Sequence, residues 1–189
     1  MNYTDWQAGT AVASPVYVDA NVLVAITVTK HRLYTNGVQL VGELLASQPR
    51  ILISLMTVQE SLWALARLSY YDLAPQRPGA LFNRSIYDRW CGRIFASHGP
   101  RMAAISSMLH SWSQAGITVE VVPKTEEDFL SLCNVTPRYM RDYKLTPNDA
   151  AHLAIACAHA RTFVTADSDF EQVARQSTSE NLVIVHLAP

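Results

Sequence analysis

Cysteine is scarce in this chain: Cys91, Cys133 and Cys157 stand far apart, and no two form a CxxC pair. That spacing excludes a disulfide framework and a cysteine zinc site, and it suits a reducing cytoplasm. No apolar run reaches the roughly 18–20 residues needed to span a bilayer. The opening Met1-Asn2-Tyr3-Thr4-Asp5-Trp6 lacks a basic stretch followed by an apolar core, so no signal peptide is expected. Charge is also sparse. Only 16% of residues are charged and the formal net charge is −1, which leaves no global attraction to polyanions. Any nucleic-acid contact must therefore use a local basic patch. A Gly-rich phosphate loop, HExxH and a Ser-His-Asp set are all missing, which removes the commoner competing chemistries.

What is present suits one packed domain: 189 residues, 49% of them hydrophobic. Residues 1–14 are small and polar and read as a flexible leader, with the single domain over 15–189. Apolar, β-branched runs at residues 16–18, 51–55, 117–122, 163–165 and 182–186 each have the length of a buried strand. Residues 60–68 and 150–160 between them carry helical periodicity or strong helix formers. Strands alternating with helices predict an α/β fold: three α/β/α layers around a mostly parallel, five-stranded sheet. Residues 69–101 break the alternation, with Pro75, Pro78, Gly79 and Pro100, and predict a loop followed by a helix over 81–97. This helical insertion is basic: Arg77, Arg84, Arg89, Arg93 and Arg101 face only Asp72 and Asp88.

Acids fall in a telling order. Asp19 closes the run Pro15-Val16-Tyr17-Val18, Glu60 and Asp149 open helical stretches, and Asp167 and Asp169 follow Thr162-Phe163-Val164-Thr165. Acids just beyond strands, or in first helical turns, lie where α/β sheets place their ligand crevice. Each also has a structural reading. Thr57-Val58-Gln59-Glu60 has capping-box spacing, Thr146-Pro147-Asn148-Asp149 has a cap, a Pro at N1 and an acid at N3, and Asp167 or Asp169 suits a short helix cap. Asp19 is harder to explain so, because an unpaired charge in an apolar stretch costs several kcal/mol. If the strands ending at Asp19 and Asp167 are neighbours, the carboxylates converge. Such a cluster calls for a hard cation, Mg²⁺ or Mn²⁺. His152 and His159, seven residues apart on one helix face, read as packing residues.

Val18-Asp19-Ala20-Asn21-Val22-Leu23 resembles the opening motif of PIN domains, metal-dependent nucleases that include toxins of the VapC type. Thr57-Val58-Gln59-Glu60 is similar to the second acidic site of that family. Leu145-Thr146-Pro147-Asn148-Asp149-Ala150-Ala151-His152-Leu153-Ala154 resembles the third. Phe163-Val164-Thr165-Ala166-Asp167-Ser168-Asp169-Phe170 matches the fourth, T-x-D-x-D-F, and the order holds from residue 15 to 187. The resemblance implies a PIN-like fold and hydrolysis of RNA phosphodiester bonds with Mg²⁺ or Mn²⁺. It assigns Asp19, Glu60, Asp149 and Asp167 as catalytic metal ligands, with Asp169 in an outer role. Asn21 and Thr165 would orient the ligands through hydrogen bonds. It further implies a small antitoxin partner, grooved into residues 20–29 and 37–47, and a homodimer. Arg84, Arg89, Arg93 and Arg101 are candidates to track a nucleic-acid backbone, and Tyr87 and Trp90 to stack on bases. A catalytically silent PIN-like module that binds RNA or protein is the alternative. A phosphatase using Asp19 as nucleophile wants a second acid two residues on, where Asn21 stands.

Overall fold

The computed structural model describes residues 1–47, 49–75, 81–177 and 181–188; Arg77, Pro78 and Gly79 fall outside this set. In chain order the elements are β1 (Asn2–Asp5), β2 (Val16–Val18), α1 (Ala20–Thr27), α2 (Tyr34–Ser47), β3 (Arg50–Ile53), α3 (Leu55–Leu73) and α4 (Arg84–Gln114). There follow β4 (Thr118–Val121), α5 (Glu126–Tyr143), α6 (Pro147–His159), β5 (Thr162–Thr165), α7 (Asp169–Gln176) and β6 (Val183–His186). The strands form one sheet in the order β1-β6-β5-β2-β3-β4, and every neighbouring pair is parallel.

The sheet has six strands where the sequence predicts five. The sixth is β1, inside the segment read as a leader, and it pairs with β6 in the register Asn2↔Val183 to Asp5↔His186. Its residues are too polar to signal a buried strand. As an edge strand it needs only one ladder of hydrogen bonds, and its order comes from β6 and from Trp6 just beyond it. Trp6 is buried, and its backbone N–H donates to the His186 carbonyl at 2.8 Å.

Side chains alternate across the strands, so the sheet is covered on both faces. Val16 and Val18 enter one core with Leu23, Leu40, Leu65 and Ile105 from α1 to α4. Tyr17 enters the other with Tyr139, Leu153 and Phe170 from α5 to α7. At Gly37 of α2, an added Cβ would stand 2.6 Å from the Ile26 side chain; glycine lets α2 seat closely on α1. Among the described residues no helix is long and apolar enough to cross a membrane.

Three helices differ from expectation. α3 starts at Leu55, not Glu60: Ser54 and Thr57 form the capping box, each side chain accepting the other's backbone N–H. Glu60 lies a turn further in, and α3 continues through residues 69–73, read as loop. α4 runs to Gln114, beyond the expected end at 97. That expected end marks a kink, where His98 leaves helical geometry (φ −129°, ψ 26°) two residues before Pro100, which lacks an N–H and crowds the preceding turn. α5 carries Pro137 and had no counterpart in the sequence reading.

From β2 the chain steps outward to β3 and β4, then returns to the other side of β2 for β5 and β6. The order therefore reverses between β2 and β5. In open parallel sheets a crevice forms at the carboxyl ends of the strands at such a reversal.

Candidate metal centre

Asp19 sits in that crevice, directly after β2 and as N-cap of α1. Only 6% of it is exposed. Its Oδ1 accepts the Ala20 N–H at 2.6 Å, and its Oδ2 accepts the Thr165 hydroxyl, from the end of β5, at 2.7 Å. Thr165 Oγ1 in turn accepts the Asp167 N–H at 3.1 Å, so one hydroxyl ties the ends of β2 and β5 together. Asn21 braces the same corner, accepting the Ala166 N–H at 2.9 Å and reaching Thr165 Oγ1 at 3.4 Å. Burial pushes the Asp19 carboxyl above its ordinary value, and His152 and the two hydrogen bonds only partly oppose this. This is a carboxylate short of positive charge.

Glu60 reaches the crevice from α3. Its Oε1 accepts from Asn148 Nδ2, and its Oε2 lies 2.8 Å from His152 Nε2. His152, buried on α6, also places Nε2 3.6 Å from Asp19 Oδ1. Burial works against a charged imidazole here. The hydrogen bond to Glu60 and the fields of Asp19 and Glu60 outweigh it, so the His152 pKa moves up. Behind the ring, Nδ1 is 2.7 Å from the Tyr17 hydroxyl, which lies 3.0 Å from both Ser54 Oγ and Thr57 Oγ1. Asp19, Glu60 and His152 each bring one potential ligand atom within 4.8 Å of the other two, and among the described residues this is the group of three that does so.

The remaining acids stand outside that trio. Asp149 is half-buried at N3 of α6; the N-cap Thr146 accepts its N–H at 3.3 Å and donates to its carboxylate at 2.5 Å. It precedes His152 by three residues, hence shares its helix face. Asp167 is half-buried, and its Oδ1 accepts the Asp169 N–H at 2.9 Å as α7 begins. Asp169 is exposed. The structure thus brings Asp19 and Glu60 together and leaves Asp149, Asp167 and Asp169 in helix-starting contacts around them.

Sequence reasoning placed His152 near the acids but ranked it as a packing residue, because it was paired with His159 and not with Asp149. The i, i+3 relation to that acid was the available signal. His159 stands apart from this cluster, its Nε2 buried with no hydrogen-bond partner among the described residues. Tyr17 was missed, although a tyrosine between buried valines needs a partner for its hydroxyl.

A groove of about 1060 Å³ runs from Glu60 and Asn148 between α3 and α4, walled by Trp63, Arg67, Arg84 and Tyr87. Arg84 lies over the Tyr87 ring at 5.8 Å and pairs with Asp88 on an exposed surface. Arg93 lies over Trp90 at 5.1 Å, and Arg89 is exposed. Arg101 is already engaged, 2.7 Å from Asp72 and 3.2 Å from Ser69 Oγ. Arg67, not among the predicted contacts, has no ion-pair partner among the described residues. Of the two stretches expected to offer a partner groove, α1 is buried from Val22 to Ala25, whereas α2 leaves Val38 exposed.

Comparison with known proteins bears first on the fold. No curated protein matches the chain. Among solved structures it is similar to VapBC2 from Rickettsia felis, crystallised with a DNA fragment from their promoter: 15% identity, TM-score 0.50, covering 92% of this chain and 98% of that one. FitAB bound to the IR36 DNA fragment matches at 15% identity and TM-score 0.46, covering 90% and 94%. Residues 117–176, which hold Asp149, His152 and Asp167, match the family model described as PIN domain.

Proposed function

We propose that this chain is a divalent-metal-dependent endoribonuclease, using Mg²⁺ or Mn²⁺ to hydrolyse RNA phosphodiester bonds, and the toxin of a toxin–antitoxin pair. The observation that carries the reading is Asp19, a buried carboxylate at the sheet's reversal point, facing Glu60 across His152. The donor set fits such an ion: carboxylate oxygens suit hard cations, and a buried acid that shares one imidazole with Glu60 is short of positive charge. When bound, the ion lowers the pKa of a coordinated water and offsets charge building on the phosphate.

The protein's own groups set the stage for that chemistry. Asp19 and Glu60 would hold the ion, with Asp149 and Asp167 reaching it directly or through water and Asp169 acting from outside. Thr165 and the Ala20 amide fix both oxygens of Asp19, while Asn148 fixes Glu60. Such bracing keeps reacting groups in place without reorganisation. The α3–α4 groove would carry the RNA, with Arg67, Arg84, Arg89 and Arg93 near phosphates and Trp63 and Tyr87 beneath bases. Arg101, engaged with Asp72, is left out of this set.

The toxin reading draws on the PIN family model over residues 117–176 and on the R. felis neighbour, solved as a VapBC2 complex. By that analogy a small antitoxin would cover the acidic crevice, and the toxin would form a homodimer. One observation favours a second reading, a catalytically silent module: the His152–Glu60 contact supplies some counter-charge without any ion. Cleavage of total RNA started by adding Mn²⁺ decides between them. The nuclease reading expects Asp19→Asn and Asp167→Asn, both folded, to lose activity by about 100-fold or more. Equal cleavage by both variants and the wild type would refute it.

A further inference from the structure

We propose that His152 is a direct ligand of the divalent cation, through Nε2, and that a ring of three hydroxyls beneath it fixes the tautomer this requires. The inference rests on the metal-dependent reading above and adds nitrogen to a site otherwise built of carboxylates.

The ring consists of Tyr17, Ser54 and Thr57. Tyr17 OH is 3.0 Å from Ser54 Oγ and 3.0 Å from Thr57 Oγ1, and the last two are 2.9 Å apart. Each hydroxyl has one proton and two acceptor lone pairs. Donation around the triangle uses all three protons and one lone pair on each oxygen. The second lone pair of Ser54 Oγ accepts the Thr57 N–H at 3.0 Å, and that of Thr57 Oγ1 accepts the Ser54 N–H at 3.3 Å. Tyr17 keeps one acceptor site and no proton. Its remaining neighbour is His152 Nδ1, at 2.7 Å, so Nδ1–H donates. The nitrogen facing the acids is then Nε2, whose proton goes to the Glu60 carboxylate in the metal-free protein; a divalent ion would displace that proton to solvent, while the Nδ1–H held by Tyr17 stays in place.

Distances agree. Nε2 lies 2.8 Å from Glu60 Oε2 and 3.6 Å from Asp19 Oδ1. Adjacent ligands on bonds of about 2.1 Å stand about 3 Å apart around an octahedral ion, so modest side-chain shifts let all three atoms share one. The imidazole is 2% exposed and packs on the Tyr17 ring at 5.8 Å between centroids, which holds it in place against the acids. Packing alone does not explain a histidine here, since an apolar side chain would fill the space without facing two carboxylates. A nitrogen donor tilts the site from Mg²⁺ toward a transition ion such as Mn²⁺.

The test is pulsed EPR on the full chain, labelled with ¹⁵N-histidine and loaded with Mn²⁺. The expected result is hyperfine coupling from a directly coordinated nitrogen in the wild type, lost in His152→Gln and retained in His159→Gln. Mn²⁺ affinity, read from the free-ion signal, should fall about 10-fold or more in His152→Gln, and less in Tyr17→Phe, which keeps the coupling. Bound Mn²⁺ without nitrogen coupling, or coupling that survives His152→Gln, would overturn the proposal. Should His152→Gln not fold, His152→Asn carries the same test, and nitrogen coupling that survives it overturns the proposal. Absence of Mn²⁺ binding removes both this ligand and the metal mechanism. Nitrogen-coupled Mn²⁺ in a protein that cuts no RNA overturns the nuclease reading alone.

Discussion

Asp19 carries a charge that its surroundings disfavour, and His152 carries one that they favour, so the two residues make the metal-free protein sensitive to pH in one direction. The folded His152 value lies above 6.5, mainly because Glu60 and Asp19 overcome its burial. Its contribution to stability is complete below 6.5 and is lost as pH climbs through the raised value. Asp19 is raised above 3.8 by burial, so its relative advantage is likewise present at low pH and lost as pH rises. Without divalent ions the melting temperature should therefore fall as pH rises above 6.5, and His152→Gln should flatten that slope. Glu120 behaves oppositely. Hydrogen bonds from Arg50 and Lys124 hold it down at about 2, so its contribution disappears only in strong acid and leaves the neutral window untouched. Asp19→Asn should raise the metal-free melting temperature by about 2–4 °C and abolish the further rise on adding Mn²⁺. A lower metal-free value in a well-folded variant would mean that the carboxylate is already satisfied.

Helix starts show how far sequence could go at the scale of elements. Thr146-Pro147-Asn148-Asp149 was legible because cap, N1 proline and N3 acid all lie within four residues, and α6 begins as that pattern requires. Thr146→Ala should cost about 1 kcal/mol, measured as a shift in urea midpoint, and should also free the Asp149 carboxylate. At α3 the same rule chose the wrong frame. Ser54…Thr57 and Thr57…Glu60 both fit a capping box, and the choice between them depends on where β3 ends, which packing against β2 and β4 decides. The error mattered for function. Glu60 is not spent on a cap, so its carboxylate is free to cross to α6 and meet Asn148 and His152. His152 was illegible for a similar reason: its partners, Tyr17, Glu60 and Asp19, come from β2, α3 and the β2–α1 junction.

At the scale of the molecule, the apolar runs were long and β-branched enough to reveal five strands and the α/β alternation. β1 stayed hidden because pairing with β6, not its own residues, gives it order. Trp6→Ala should consequently cost about 3 kcal/mol. Deleting residues 1–6 should cost more and bare the β6 edge, giving concentration-dependent association by size-exclusion chromatography. The reversal of strand order between β2 and β5 is the feature that unites the site: it sets Asp19 beside Thr165 and leaves a crevice that α3 and α6 close with Glu60 and His152. The central claim is that this crevice holds a divalent ion, and crystals soaked in Mn²⁺ test it most directly by anomalous scattering. An anomalous peak within about 2.3 Å of the Asp19 carboxylate and beside Glu60 is the predicted result. A Mn²⁺-saturated crystal with no peak between those two side chains would contradict it.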